Sequence, residues 1–251
     1  MDAARRSRGT EPVSAPVATE ARSAPGALAQ LKDRLKDLAH AGLAPVVRVL
    51  AGLGLRADHL TVGGLVISVG AGFAYFDGKF RLGALLLLLA GLCDILDGEL
   101  ARRSGKTSRF GAFLDSTLDR LAEAAVLVGI AGFYVRNLFA LVFQPELVLE
   151  QIAQQLEPAT WAVLAVTAML ALVGSFMVSY TRARAEGLGL DCKVGWFERP
   201  ERLVLLILAG ALQVFWAMSI ALLLLTLLSF VTATQRVLHV HRITRGSGHD
   251  A

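Results

Sequence analysis

The chain has 251 residues, 55% of them hydrophobic and 18% charged, with a formal net charge of +4. Its mean hydropathy of +0.56 excludes an ordinary soluble domain and predicts an all-α integral membrane protein with several spans. With so much apolar sequence, the basic balance fits an anionic membrane surface, and no nucleic-acid partner is expected.

Residues 1–26 are rich in Ala, Arg, Ser, Pro and Glu, with no hydrophobic period. They read as a disordered cytoplasmic tail, and they lack the apolar core of a secretory signal. Over residues 27–53, Leu28, Leu31, Leu35 and Leu38 form one stripe while Lys32, Arg34 and Lys36 lie elsewhere. This predicts an amphipathic helix on the membrane surface, interrupted at Pro45, with bilayer lipids as its partner. Six transmembrane helices are then expected within a 54–243 domain. The first covers about 59–76, followed by a tight turn at 77–81. The second covers 82–103 and the third 109–135. A longer connection, 137–157, contains Pro145 and has room for a short interfacial helix at 146–155. The fourth span covers 158–186. A polar loop at 187–199 precedes a run from 200 to 242 that is long enough for two spans, joined near 213–216. Residues 244–251 form a C-terminal tail.

Charge sets the orientation. If the N-terminus is cytoplasmic, 22 of the 25 Lys and Arg residues fall on the cytoplasmic side, leaving only Lys79, Arg81 and Arg136 outside. That is a strong positive-inside bias. It predicts a cell (inner) membrane protein with both termini and the site in the cytoplasm. Cys93 and Cys192 have no CxxC partner and read as free thiols. No internal repeat supports an inverted-repeat transporter.

The most informative stretch is DILDGELARRSGKTSRFGAFLDSTLD, residues 94–119. On a helix, Asp94, Asp97, Gly98, Ala101 and Arg102 share one face, and Gly111, Asp115 and Asp119 share another. The short polar segment 104–109 contains Gly and should turn the chain. Two antiparallel helices would then aim four carboxylates at one another. Carboxylates near a bilayer mark a functional site, and four together cannot all stay ionised without compensation. Arg102, Arg109 and Arg120 offer some positive charge. A divalent metal offers more, and hard oxygen donors suit Mg²⁺ or Mn²⁺ rather than Zn²⁺. A solvated loop with acidic helix ends is the plainer reading, but it needs no carboxylate pairs in register.

The order D-x2-D-G-x2-A-R-x8-G-x3-D-x3-D resembles the signature of the CDP-alcohol phosphatidyltransferases at every fixed position. The resemblance extends more loosely over residues 50–242. It implies that a CDP-activated lipid, CDP-diacylglycerol, binds through its pyrophosphate to two metal ions, Mg²⁺ or Mn²⁺. An acceptor hydroxyl then attacks the lipid-bearing phosphorus and CMP leaves. Asp94, Asp97 and Asp115 are the implied metal ligands. Asp119 shares in metal binding and is the implied catalytic base. Gly98, Ala101, Arg102 and Gly111 are implied on the nucleotide side, and a homodimer is the implied assembly. Asp58 and Thr61, before the first span, are open to two readings: nucleotide contact, or helix capping with Asp58 as N-cap.

The acceptor is read from Arg182, Arg184, Lys193, Arg199 and Arg202. Orientation alone could account for this basic cluster. The segment is also similar to one in phosphatidylinositol phosphate synthases and their archaeal ether-lipid relatives. That similarity implies a soluble phosphorylated alcohol, inositol 1-phosphate, held by Arg182, Arg199 and Arg202, since guanidinium suits bidentate phosphate binding. Glycerol 3-phosphate is the rival acceptor. A cation transporter and a catalytically dead scaffold are the rival classes. The first should carry its acids at the bilayer midplane, and the second should have lost motif residues.

Overall fold

A computed structural model describes residues 45–50, 52, 54–104, 108–143 and 157–246. The 1–26 tail, most of the 27–53 surface helix, the 146–155 interfacial helix and residues 247–251 lie outside the described residues. Pro45, expected to interrupt a helix, is itself helical, as are residues 46–50.

Among the described residues six longer helices follow: α1 (Ala57–Phe76), α2 (Phe80–Ser104), α3 (Arg109–Phe143), α4 (Pro158–Gly187), α5 (Arg199–Leu212) and α6 (Phe215–Gly246). No strand occurs among the described residues. The boundaries have local causes. Gly78, at φ +78°, turns the chain between α1 and α2. Ser108 Oγ accepts the Gly111 N–H at 2.8 Å and caps the start of α3. Pro158 and Pro200 lie in the first turns of α4 and α5. Gln213 takes a left-handed conformation, φ 52°, and separates α5 from α6 inside the expected joint.

One boundary differs from expectation. α3 does not stop near Val135 but continues through Phe143. Asn137, where the connection is expected to begin, donates its Nδ2 to Phe133 O at 2.8 Å and stays on the helix. Beyond it, Leu141 is buried.

Four helices, α1, α3, α4 and α6, are long and apolar enough to cross a bilayer, which makes the chain an all-helical integral membrane protein. α2 carries the charged motif at its end. α5 has 14 residues, about 21 Å at the helical rise. α1 packs against α2 and α3, α3 against α4, α4 against α6, and α5 against α2 and α6. Large apolar side chains such as Val66, Phe73, Phe113 and Val128 face outward. In water such faces would aggregate; in a bilayer they meet lipid.

The bundle has two unlike ends. Where α2 and α6 begin and α3 nears its end, Phe80, Phe133, Trp161 and Phe215 interlock, with ring centroids 4.9 to 6.0 Å apart. The opposite end gathers the start of α1, the end of α2 and the start of α3, and there the acidic motif lies. Between them α1 and α3 cross with backbones touching. A Cβ on Gly129 would collide with Gly72 O, and one on Gly72 with Ala125 O. Small residues allow this approach where lipid provides no hydrophobic drive. Gly129→Ala should therefore push the helices apart and cost about 1–3 kcal/mol, the usual penalty of overpacking. Thermal unfolding in detergent reads this; a midpoint at or above wild type would show the crossing does not need the glycine.

Candidate active site

Asp94 and Asp97 lie near the end of α2, and Asp115 and Asp119 near the start of α3. One carboxylate oxygen each from Asp94, Asp97 and Asp115 lies within 4.8 Å of the others. The Thr61 hydroxyl donates to Asp97 Oδ2 at 2.8 Å, with Ala57 O a second acceptor at 3.1 Å. Asp115 Oδ1 is buried and accepts no hydrogen bond among the described residues. A buried carboxylate oxygen without a donor needs another electrophile. Three convergent hard oxygens, one of them orphaned, fit a divalent cation.

Asp119 stands beside this triad and has different partners. Arg199, the first residue of α5, places Nη1 2.7 Å from Asp94 Oδ2 and Nη2 2.8 Å from Asp119 Oδ1. Arg120 Nη1 is 3.5 Å from Asp119 Oδ2. One guanidinium thus bridges α2 and α3 from a third helix.

A cavity of about 240 Å³ opens next to the triad. Asp58, Thr61, Asp97, Gly98, Ala101, Arg102, Gly111 and Asp115 all line it. The sequence-predicted nucleotide-side residues are therefore together. Asp58 is not an N-cap: α1 starts at Ala57, so Asp58 lies in the first turn, where its charge favours the helix dipole. Arg102 swings back over Gly98 and pairs with Glu99 at 3.0 Å. A side chain on Gly98 would meet nothing closer than the Arg102 guanidinium, at 3.5 Å, so that face of the helix is open to a ligand.

The three acceptor arginines each face an acidic partner. Arg182 Nε donates to Glu186 at 2.8 Å, and its Nη1 lies 3.6 Å from Glu198. Arg199 faces the aspartates. Arg202 is only 1% exposed, and its fork is closed on Glu123: Nε to Oε1 at 2.6 Å and Nη2 to Oε2 at 3.0 Å. Its remaining Nη1 faces Phe197 O at 3.5 Å. Arg202, expected among the acceptor's phosphate ligands, is here buried and paired with Glu123. The reason is register. Arg199 and Arg202 are one turn apart on α5, and Asp119 and Glu123 are one turn apart on α3, so the helices meet as two stacked ion pairs. Sequence reasoning passed over Glu123, although Asp115, Asp119 and Glu123 continue one i, i+4, i+8 stripe in an apolar helix.

Residues 54–233 match the CDP-alcohol phosphatidyltransferase family. The chain is 36% identical over 192 residues to the archaetidylinositol phosphate synthase of Methanothermobacter thermautotrophicus, covering 75% of this chain and 84% of that protein. It is 33% identical over 203 residues to the phosphatidylinositol phosphate synthase of Mycobacterium tuberculosis, covering 77% and 82%. Crystal structures of the latter are similar to this fold at 32% identity. With CDP-DAG bound the TM-score is 0.64, over 78% of this chain and 92% of that one. In complex with manganese and citrate it is again 0.64, over 78% and 87%.

The buried Arg202–Glu123 pair yields a stability test. Removing one partner leaves the other charge buried and should cost about 3–5 kcal/mol, whereas an apolar pair of similar volume is tolerated. Arg202→Met and Glu123→Leu should each lower the unfolding midpoint in detergent, and the double variant should recover much of the loss. Additive losses would mean the two side chains do not depend on each other.

Proposed function

This chain belongs to the CDP-alcohol phosphatidyltransferase family, and we propose that it moves a phosphatidyl group from CDP-diacylglycerol to the hydroxyl of inositol 1-phosphate, releasing CMP. The observation that carries this reading is the convergence of the acidic triad, Asp119 and the adjoining cavity at one end of an apolar bundle. Family membership places the chain among enzymes and away from cation transporters. Its similarity to inositol phosphate synthases favours inositol 1-phosphate over glycerol 3-phosphate.

Asp94, Asp97 and Asp115, with Asp119 sharing, are the residues that would hold two divalent ions, Mg²⁺ or Mn²⁺. Such ions supply positive charge to a pyrophosphate and its departing oxygen. Asp58, Thr61, Gly98, Ala101, Arg102 and Gly111 line the donor's cavity, and Gly98 keeps the backbone open to the nucleotide. Thr61 orients Asp97 through the hydroxyl contact at 2.8 Å. Asp119 takes the proton of the acceptor hydroxyl. That oxygen forms a bond to the lipid-bearing phosphorus, the phosphorus–oxygen bond to CMP breaks, and CMP leaves with the electron pair. Positioning and charge neutralisation dominate such a transfer. Arg199 and Arg182 receive the acceptor phosphate, while Arg202 acts from below by holding α5 on Glu123.

In the membrane, this reading gives six spans with α2 and α5 included, a cytoplasmic site, cytoplasmic termini and a second copy of the chain as partner. Lipid covers the exposed apolar faces, and the donor's acyl chains stay in the bilayer while its head group reaches the site. Residues 54–243 form the catalytic domain.

Purified protein incubated with CDP-diacylglycerol and Mg²⁺ should release CMP with inositol 1-phosphate. EDTA should stop the release, and Mn²⁺ or Mg²⁺ should restore it. Equal turnover with unphosphorylated inositol or serine would sink the phosphate pocket. Turnover with glycerol 3-phosphate alone would change the named acceptor and keep the chemistry. A second measurement isolates the base. Asp119→Asn should lower kcat by about 10²–10⁴-fold, the usual worth of general base catalysis, with CDP-lipid binding retained in part. Wild-type turnover in that variant would remove Asp119 from the role.

A further inference from the structure

Arg236 lies on α6, far in sequence from the acidic motif, yet it is only 2% exposed. Orientation in the membrane would be served equally well by an exposed arginine, and burying a guanidinium costs free energy unless each donor is used. Each of the three guanidinium nitrogens has a partner, on two different segments. Nε donates to Val194 O at 2.8 Å, Nη1 donates to Val178 O on α4, and Nη2 lies 3.5 Å from Glu198 Oε1. The segment 188–198 between α4 and α5 has no helix or strand of its own. Its backbone rests on α6 at Gly195, at φ +111°, where a Cβ would collide with Thr232 Cγ2 and Arg236 Nε is 3.6 Å away. Glycine permits the close approach, and the guanidinium satisfies the carbonyl beside it.

Glu198 carries the effect onward. It is the N-cap residue of α5, but its carboxylate makes no cap. The carboxylate is spent on Arg236 and on Arg182, whose Nη1 is 3.6 Å away. Arg199 is the next residue in the chain and reaches Asp94 and Asp119. One buried side chain therefore fixes the loop, the launch of α5 and, through one carboxylate, the arginine on α4.

We propose that Arg236 is a positioning residue for the acceptor side of the site: it pins the 188–198 loop to α6 and, through Glu198, sets Arg182 and Arg199 relative to each other. This rests on the assignment of Arg182 and Arg199 to the acceptor phosphate. Arg236 itself is buried behind the loop and touches neither substrate.

The test uses the full chain in lipid nanodiscs, with Arg236→Lys, Arg236→Met and Glu198→Gln. Lysine keeps the charge but is a single point donor that cannot span three partners. Wild type is first assayed with inositol 1-phosphate and with glycerol 3-phosphate, and the productive acceptor is used throughout, so a wrong acceptor is recognised before any variant is read. Arg236→Lys should speed amide hydrogen exchange over 188–198 by about tenfold or more, reporting local opening. It should also raise the acceptor KM by about tenfold while the CDP-lipid KM moves by less than about twofold and kcat at saturating acceptor is largely kept. Glu198→Gln should raise the acceptor KM in the same direction. Arg242→Lys, exposed on the same helix, should change none of these. Unchanged exchange in the loop, or a proportional rise of both KM values, would overturn the proposal. If Arg236→Met does not accumulate as folded protein, Arg236→Lys and Glu198→Gln decide.

Discussion

Four carboxylates at the end of an apolar bundle repel one another, and everything near them is arranged to offset that repulsion. Thr61 reaches from α1 to Asp97, and Arg199 reaches from α5 to Asp94 and Asp119. Each of these contacts joins a different helix to the acidic pair of helices. The charges that make the site costly are thus also what ties the bundle's polar end together. A guanidinium suits this position because its planar fork can serve two carboxylates at once, which an ammonium does less well.

The two ends of the bundle solve different problems. At the far end, aromatic rings from α2, α3, α4 and α6 interlock edge to face or tilted, and such packing needs no water and no charge. In the middle, glycine lets α1 and α3 touch. With those two anchors in place, the polar end can hold a cavity and an orphaned carboxylate oxygen without loosening the fold. Stability and chemistry are separated along the helix axes.

Much of this was legible in the sequence. Apolar runs broken by Gly78, Pro158, Pro200 and the stretch around Gln213 located the helices to within a turn or so at those breaks, because those residues act locally. The site was legible for a similar reason: Asp94, Asp97, Asp115 and Asp119 follow helical spacing, and eight specified positions leave little room for coincidence. What sequence could not supply was which helix faces which. Arg202 and Arg199 are alike as letters, but one meets Glu123 deep in the bundle and the other meets the motif. Arg236 read as an ordinary cytoplasmic cation, since nothing in its neighbourhood along the chain announces Val178 or Glu198 as partners. The extension of α3 past Asn137 was hidden by a side chain that bonds to its own helix.

The left-handed break at Gln213 has a mechanical consequence. It ends α5 after 14 residues, while Val204, Leu208 and Leu212 stay exposed along one side of it. The whole of α5 spans about 21 Å, against roughly 30 Å of hydrocarbon in an average bilayer. Lipids resting on this flank must shorten or tilt to match it, whereas those along α3 and α4 need not. A flank this short favours thinner or more fluid lipid beside α5 than beside α3 and α4.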